Sequence, residues 1–275
     1  MNLLEGDCLQ VLPTLDAGSV DLVVTSPPYN LGIHYKSFKD TAPREEFLLW
    51  CHAWASEVKR VMADDASFFL NVGAAPANPL MPHQLVLALT AGAEPLFILQ
   101  NTFHWIKSVT IETVGGEQIS AGHFKPINSK RYVNDCHEYV FHLTKTGNVE
   151  LDRRAAGVPY VHKSNIARWE HTGGADLRCR GNTWFIPYET INSRDKDRPH
   201  PATFPVALVE QCIRLQGKGP ATRLMDPFLG IGTSAIAAVR QKITAFTGIE
   251  LDVDYLETAR LRLREEKDRH AGELF

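Results

Sequence analysis

One short stretch of the sequence combines a hydroxyl, two prolines and an aromatic ring: Ser26-Pro27-Pro28-Tyr29. Proline fixes its own φ angle and has no backbone N–H, so two in succession form a rigid corner whose carbonyl groups keep fixed directions. A corner with an aromatic tip is typical of a site that must hold a group in place. The alternative is an ordinary turn at the end of a strand, in which Tyr29 packs against its neighbours.

A second stretch, LMDPFLGIGTS at residues 224–234, predicts a strand, a glycine-containing turn and the start of a helix. Such glycines let the backbone approach a ligand closely, and the amide groups at a helix N-terminus favour polar or anionic groups. The pattern is neither Gly-x-Gly-x-x-Gly nor a phosphate loop. Glu250 ends the next predicted strand, where an acidic side chain can accept hydrogens from a ribose diol. These features indicate a nucleoside-like ligand rather than a dinucleotide, and a tight corner without a ligand is the alternative.

The elements around these two stretches alternate between strand and helix. Predicted strands end at Gly6 and cover residues 20–24, 66–73, 96–108, 224–226 and 244–252. Predicted helices cover residues 44–65, 82–94, 200–217, 232–241 and 253–270. Strands that are apolar throughout belong to parallel sheets covered on both faces. The alternation therefore predicts an α/β fold with a doubly wound, mostly parallel sheet.

The middle of the chain, residues 108–198, loses this periodicity and is predicted to be an insertion that keeps strands at 137–145 and 182–189. It separates one half of the core, residues 1–107, from the other half, residues 199–275. Residues 107–200 contain 14 Lys and Arg against 11 Asp and Glu, whereas residues 1–106 contain 5 against 11. A polyanion would bind the middle region, although a solvated surface explains the charge equally well.

The composition is that of a folded globular protein, with 275 residues, 44% hydrophobic and 22% charged. No apolar run approaches the roughly 18 residues that span a bilayer, and the N-terminus does not resemble a signal peptide. The sequence therefore predicts a cytoplasmic protein without membrane contact. The five cysteines are scattered, which argues against a disulfide framework and predicts no metal site.

The two stretches together, Ser-Pro-Pro-Tyr followed by Asp-Pro-Phe-x-Gly-x-Gly, resemble the signature pair of the S-adenosylmethionine-dependent DNA amino-methyltransferases. These enzymes methylate an exocyclic nitrogen of adenine or cytosine. The order of the stretches, with a variable segment between them, resembles the beta group of the family. Further matches follow in familiar order: Gly6-Asp7, HWIK at 104–107, HEYVFHLTK at 137–145, HPATFP at 200–205 and GIELD at 248–252. The resemblance implies a Rossmann-like methyltransferase fold with an inserted target-recognition segment, S-adenosyl-L-methionine as cofactor and double-stranded DNA as partner.

The same resemblance places catalysis at Ser26, Pro27, Pro28 and Tyr29. An exocyclic amine is a poor nucleophile because its lone pair is delocalised into the ring, and the base must leave the stack to react. By resemblance, the Ser26 side chain and the Pro27 carbonyl accept hydrogens from the amine. Tyr29 stacks on the flipped base, an interaction of roughly 1 to 3 kcal/mol. Direct attack on the sulfonium methyl group needs no cysteine.

The resemblance also predicts the residues that bind the cofactor. They are Asp7, His200, Pro201, Phe204, Asp226, Pro227, Phe228, Gly230, Gly232, Thr233, Glu250 and Leu251. Asp7 is expected near the adenine end, with a helix N-cap as the alternative role. Residues 200–204 are expected near the methionine end, with a simple entry to a helix as the alternative, and Asp226 is expected under the cofactor.

Basic residues of the middle region are candidates for DNA contact, each with a solvated charge as its alternative. They are Lys125, Lys130, Arg131, Arg153, Arg154, Lys163, Arg168, Arg178, Arg180 and Arg194, with Lys196 and Arg198 beside them. Contact with phosphate needs only positive charge, whereas base reading needs well-placed side chains. The sequence therefore predicts no base-reading residue.

Serine in the first position of Ser-Pro-Pro-Tyr is the form associated with cytosine-N4 enzymes, while aspartate or asparagine accompanies adenine-N6 enzymes. Cytosine N4 is the predicted target and adenine N6 is the alternative. A catalytically silent DNA-binding protein would not need both motifs. A methyltransferase acting on RNA or on a protein amide would usually have asparagine and the opposite motif order. A homodimer and a cognate restriction endonuclease are left open as partners.

Overall fold

The computed structural model describes residues 1–76, 78–122, 124, 127–168, 173–188 and 203–272, and it contains an eight-stranded sheet with helices on both faces. The strands are β1 (Asn2–Glu5), β2 (Val20–Thr25), β3 (Met62–Val72), β4 (Ile98–Ile106), β5 (Ser108–Glu112), β6 (Gln118–Gly122), β7 (His137–Thr144), β8 (Thr183–Phe185), β9 (Leu224–Asp226) and β10 (Phe246–Glu250). The helices are α1 (Cys8–Val11), α2 (Arg44–Val61), α3 (Met81–Thr90), α4 (Ser164–Arg168), α5 (Val206–Gln216), α6 (Thr233–Arg240) and α7 (Val253–Gly272).

The strand order in the large sheet is β1-β10-β9-β2-β3-β7-β4-β8. Neighbouring strands run parallel except where β7 pairs with β3 and β4. The predicted α/β fold with a doubly wound, mostly parallel sheet is therefore confirmed. β5 and β6 form a separate antiparallel hairpin.

The hydrophobic core lies in two layers, one on each face of the sheet. Leu22 and Val24 of β2 belong to the layer that contains the buried residues of α5, α6 and α7. Val23 points to the other face and belongs to the layer that contains the buried residues of α2 and α3. Side chains alternate between the two faces of a strand, so a strand that is buried on both faces is apolar over most of its length. The exception in β2 is Asp21, which forms ion pairs with Arg223 and Lys218.

Several helix boundaries differ from the sequence prediction. The helix predicted over 82–94 ends at Thr90. The predicted helix 44–65 ends at Val61, and β3 begins at the next residue because Met62 pairs with Val20 of β2. The helix predicted from residue 200 begins at Val206 among the described residues, where Pro205 is the N-cap and makes no side-chain capping bond. It ends at Gly217, whose φ of 84° suits glycine at this position.

The carboxyl ends of the parallel strands meet at one edge of the sheet, and the two predicted stretches leave the sheet there. Ser26 follows β2 and Pro227 follows β9. Because β7 runs in the opposite direction, its first residues reach the same edge, where Glu138 lies opposite Trp105 of β4. This edge of a doubly wound sheet is where ligands bind in such folds.

Within the described ranges, no helix has the length and apolar character needed to cross a membrane. The same ranges contain no cluster of His, Cys, Asp or Glu suited to a metal ion.

Candidate active site

The loop after β9 is anchored from below by the carboxylate of Asp226. This side chain is 1% exposed and accepts hydrogen bonds from Thr25 Oγ1 at 2.6 Å, Ser234 Oγ at 2.5 Å and the Phe228 amide at 3.0 Å. Burial raises the pKa of Asp226, and the three hydrogen bonds oppose this effect. Asp226 thus joins β2, the loop and α6. A cavity, called the first cavity below, lies above this loop, and Asp226 does not line it.

Two glycines shape this loop in different ways. Gly230, with φ 54°, lines the cavity and donates its amide hydrogen to Glu250 Oε2 at 2.7 Å. Gly232, with φ 84°, lies behind the wall, where an added Cβ would come within 2.9 Å of the Ala259 Cβ in α7. One glycine therefore presents backbone to the cavity, and the other lets α6 begin close to α7.

Glu250 ends β10 with both carboxylate oxygens already in use. Oε2 accepts from Gly230, and Oε1 accepts from the Asp252 amide at 2.8 Å. Burial raises the pKa of Glu250, and these two backbone hydrogen bonds oppose the rise. Each oxygen retains lone-pair capacity, so the side chain can accept hydrogens from a ligand in the cavity.

The first cavity lies above β1, β9 and β10, with an aromatic wall on the side of α2. Phe228 packs against Trp54 and Trp50, with ring centroids 5.2 and 5.6 Å apart. Leu251 presents an apolar side chain that is 41% exposed. The predicted residues on the wall of this cavity are Asp7, Phe204, Pro227, Phe228, Gly230, Thr233, Glu250 and Leu251, joined by Ser26 and Pro28.

Asp7 combines the two roles that the sequence left open. Its Oδ1 accepts from the Leu9 amide at 2.9 Å and so caps α1. The same residue lines the first cavity. A helix cap and a site residue are thus one side chain here.

A loop that continues directly from Tyr29, residues 30–40, covers the first cavity. Asp40 holds the loop together by accepting from the amides of Asn30, Leu31 and Ile33 at 2.6 to 3.1 Å. The loop is attached to the start of α7, because Ser37 Oγ donates to Asp252 at 2.5 Å. Its residues Tyr35, Ser37 and Phe38 line the cavity.

A second cavity adjoins the first. Its lining includes Ser26, Tyr29, Asn71, Trp105, Glu138, Tyr188, Thr203 and Phe204. Ser26, Thr203 and Phe204 line both cavities. The structure therefore brings the Ser-Pro-Pro-Tyr corner and the glycine-containing loop to one continuous site, although most of the chain separates them in sequence.

A cluster of polar side chains forms one side of the second cavity. Asn71 Nδ2 lies 2.8 Å from Tyr29 Oη, 2.8 Å from Glu138 Oε2 and 3.3 Å from Ser26 Oγ. The hydroxyls of Ser26 and Tyr29 are hydrogen-bonded to each other. Lys107 forms an ion pair with Glu138 at 3.2 Å. Burial raises the pKa of Tyr29 well above its usual value, and the Glu138 charge adds to the rise.

Three predicted site residues in the described part of the chain, Pro27, Asp226 and Gly232, line neither cavity. His200 and Pro201 lie outside the described residues. Pro27 is buried within the corner. The sequence prediction missed several lining residues, chiefly Asn71, Trp105, Glu138 and Tyr188 on the second cavity and Tyr35 and Trp50 on the first.

The candidate DNA-contacting residues are scattered. Arg153 and Arg180 share a separate cavity with Asn101 and Asn182. Lys163 forms an ion pair with Asp176. The remaining described candidates, Lys130, Arg131, Arg154, Arg168 and Arg178, are exposed, and Lys125, Arg194, Lys196 and Arg198 lie outside the described residues.

A doubly wound sheet with two adjoining cavities at its carboxyl edge is a Rossmann-like fold with cavities where such folds bind their ligands. Residues 20–261 match the family model for N6 and N4 methyltransferases, described as DNA methylase. The chain is 31% identical over 278 residues to the type II methyltransferase M.ScaI of Streptomyces caespitosus, covering 96% of this chain and 81% of that protein. The chain therefore belongs to the N6/N4 DNA methylase family and is a DNA methyltransferase.

Solved structures show the same fold. The cytosine-N4-specific PvuII DNA methyltransferase superimposes with a TM-score of 0.68 at 19% identity, covering 97% of this chain and 91% of that one. TTHA0409 of Thermus thermophilus, solved with S-adenosyl-L-methionine, gives a TM-score of 0.59 at 24% identity, covering 96% and 93%. As a member of this family, the present chain uses S-adenosyl-L-methionine as its cofactor. The first cavity fits it, since the Glu250 carboxylate beside the apolar surface of Leu251 suits a ribose next to an adenine.

Proposed function

We propose that this protein transfers the methyl group of S-adenosyl-L-methionine to the exocyclic N4 of a cytosine flipped out of double-stranded DNA at a specific sequence. The observation that carries the proposal is the position of Ser26, which lines both cavities. A cofactor in the first cavity and a base in the second would meet at this residue.

In the first cavity, Glu250 would hold the ribose of the cofactor. Asp7, Phe228 and Leu251 line the cavity and would contact its adenine, and Phe204 and Thr233, which also line it, would contact its methionine end. When bound, S-adenosyl-L-methionine supplies a methyl carbon made electrophilic by the adjacent sulfonium. Tyr35, Ser37 and Phe38 of the loop of residues 30–40 form part of the cavity wall and would limit the access of water to this carbon.

At the second cavity, the target amine would donate a hydrogen to Ser26 Oγ, which draws its lone pair out of the ring and toward the methyl group. The Pro27 carbonyl, the second acceptor that the resemblance implies, belongs to a buried residue that lines neither cavity. Trp105, Tyr188 and Phe204 line the cavity with Tyr29 and provide apolar and aromatic surface for a base. Most of the acceleration comes from orientation and electrostatics, since no covalent intermediate is required.

The choice of cytosine rests on serine in the first position of the motif. In the decisive experiment, the purified protein is incubated with mixed-sequence DNA and the cofactor. The DNA is then digested to nucleosides, which are identified by mass spectrometry. We expect N4-methylcytosine from the wild type and none from Tyr29→Ala. N6-methyladenine would overturn the choice of base, and DNA without any methylated nucleoside would overturn the proposed reaction. Calorimetric titration with the cofactor separates an enzyme from a silent DNA-binding protein, which would show no binding.

A further inference from the structure

An ion pair lies behind the Ser-Pro-Pro-Tyr corner and has no role in the mechanism so far. Glu138 on β7 and Lys107 after β4 are joined at 3.2 Å, with side chains only 12% and 17% exposed. An ionised carboxylate can only accept hydrogen bonds, so every group that contacts Glu138 must donate to it.

This requirement fixes the hydrogens of the neighbouring groups. Glu138 Oε2 receives Asn71 Nδ2 at 2.8 Å and the Tyr29 hydroxyl at 3.3 Å. The second amide hydrogen of Asn71 is shared between Tyr29 Oη at 2.8 Å and Ser26 Oγ at 3.3 Å, so both hydroxyl oxygens accept from it. The Asn71 amide nitrogen faces Glu138 and Tyr29, whereas its buried Oδ1 has no hydrogen-bond partner in the described part of the chain. The Tyr29 hydrogen is thus committed to Glu138.

The consequence reaches Ser26 through Tyr29. Since the Tyr29 hydroxyl donates to Glu138, its oxygen must accept in its contact with Ser26, and Ser26 must donate. A serine hydroxyl has one hydrogen and two lone pairs. With its hydrogen directed at Tyr29, Ser26 offers only lone pairs to the two cavities. Without the carboxylate, Tyr29 could donate to Ser26 instead, and the serine hydrogen would then face the target amine, which is itself a donor.

We propose that Glu138 is a positioning residue that sets the direction of the hydrogen-bond chain from Ser26 through Tyr29, and thereby makes Ser26 an acceptor for the target amine. The inference rests on the proposed function, because it concerns the amine that Ser26 receives. It also supplies a physical reason why serine can serve in the first position of the motif. An aspartate there is an acceptor without assistance, whereas a serine needs its hydrogen directed elsewhere.

The test replaces the carboxylate by an amide of the same shape, Glu138→Gln, which can satisfy Tyr29 in either direction. We expect kcat for methyl transfer to fall about 10- to 100-fold, with the KM for DNA and the affinity for the cofactor unchanged. The melting temperature should fall as well, because Lys107 loses its charge partner. The matched control is His142→Gln, a buried polar residue of the same strand that hydrogen-bonds to Ser67 and Asn101 away from both cavities. It should lose stability and keep kcat.

A double-mutant cycle with Tyr29→Phe tests whether Glu138 acts through Tyr29. In the Tyr29→Phe background, which retains the ring, Glu138→Gln should change kcat less than about twofold. An equal loss in both backgrounds would overturn the inference, as would a wild-type kcat in Glu138→Gln alone or a loss confined to KM or melting temperature. If Tyr29→Phe falls below detection, the effect of Glu138→Gln on kcat and KM decides alone. A wild-type protein that transfers no methyl group would instead refute the proposed function.

Discussion

Substitution of Glu250 tests how the first cavity binds the cofactor, because this carboxylate both holds the surrounding backbone in place and faces the cavity. It holds the loop after β9 and the start of α7 through the amides of Gly230 and Asp252, at 2.7 and 2.8 Å. It also faces the cavity, where it is proposed to bind the ribose of the cofactor. Glu250→Gln preserves the shape of the side chain and turns one acceptor oxygen into an NH2 donor. This donor faces the backbone N–H that the oxygen served, and it also faces the ligand.

The magnitude follows from the hydrogen bonds that are lost. A hydrogen bond to a charged group contributes about 1.5 to 3 kcal/mol, and the variant loses one to the ribose. The dissociation constant for S-adenosyl-L-methionine should therefore rise about 10- to 100-fold. The free energy of unfolding should fall by about 2 kcal/mol because one backbone N–H is left without an acceptor. Isothermal titration and urea denaturation measure the two quantities.

The matched control is Glu266→Gln. Glu266 is also buried, and it pairs with Arg240 at 2.6 Å and with Arg269 at 3.0 Å toward the other end of α7. Its replacement should reduce stability and leave cofactor affinity unchanged. The reasoning fails if Glu250→Gln binds the cofactor as tightly as the wild type, or if both variants weaken binding equally.

Two further predictions concern the stability of the protein at His142 and at Gly232. Burial lowers the pKa of His142 to about 4 from its usual 6.5, so the unfolded chain binds a proton that the folded chain excludes. Relative to His142→Gln, the wild type should lose about 3 kcal/mol of stability as the pH falls from 7 to 4, and parallel urea-denaturation curves at the two pH values would contradict this. Gly232→Ala, with its φ of 84° and a contact of 2.9 Å to Ala259, should cost about 2 to 4 kcal/mol in unfolding free energy and weaken cofactor binding. The control is Gly219→Ala, because Gly219 also has a positive φ but has open space where the Cβ would be. Its loss of unfolding free energy should therefore reflect backbone strain alone. Equal losses in the two alanine variants would refute the proposed clash with Ala259.

Much of the core could be predicted from the sequence because local pattern determined it. The run of β2, apolar from Val20 to Val24 except for Asp21, and the spacing of the buried residues of α2 both reflect burial that the sequence records directly. The boundary between α2 and β3 could not be predicted, because it depends on the pairing of Met62 with a strand far away in sequence. Such pairing leaves no local signal.

The same limit explains what was missed in the site. The Ser-Pro-Pro-Tyr corner and the glycine-containing turn carry unusual residue types, so each could be recognised alone. Asn71 and Glu138 are ordinary polar residues in two strands, 67 positions apart, and they meet only because β7 enters the sheet in reverse beside β3. The available signal was weak: an asparagine near the end of the apolar run of β3, and a glutamate that opens the apolar run of β7.

The wall shared by the two cavities has a thermodynamic consequence. Because Ser26, Thr203 and Phe204 belong to both, the proposed cofactor and base would share part of their binding surface. Whatever factor the cofactor applies to the affinity for the extruded base, the base must apply to the affinity for the cofactor. A single ratio of dissociation constants, measured from either side, therefore describes the cooperation between the two halves of the site.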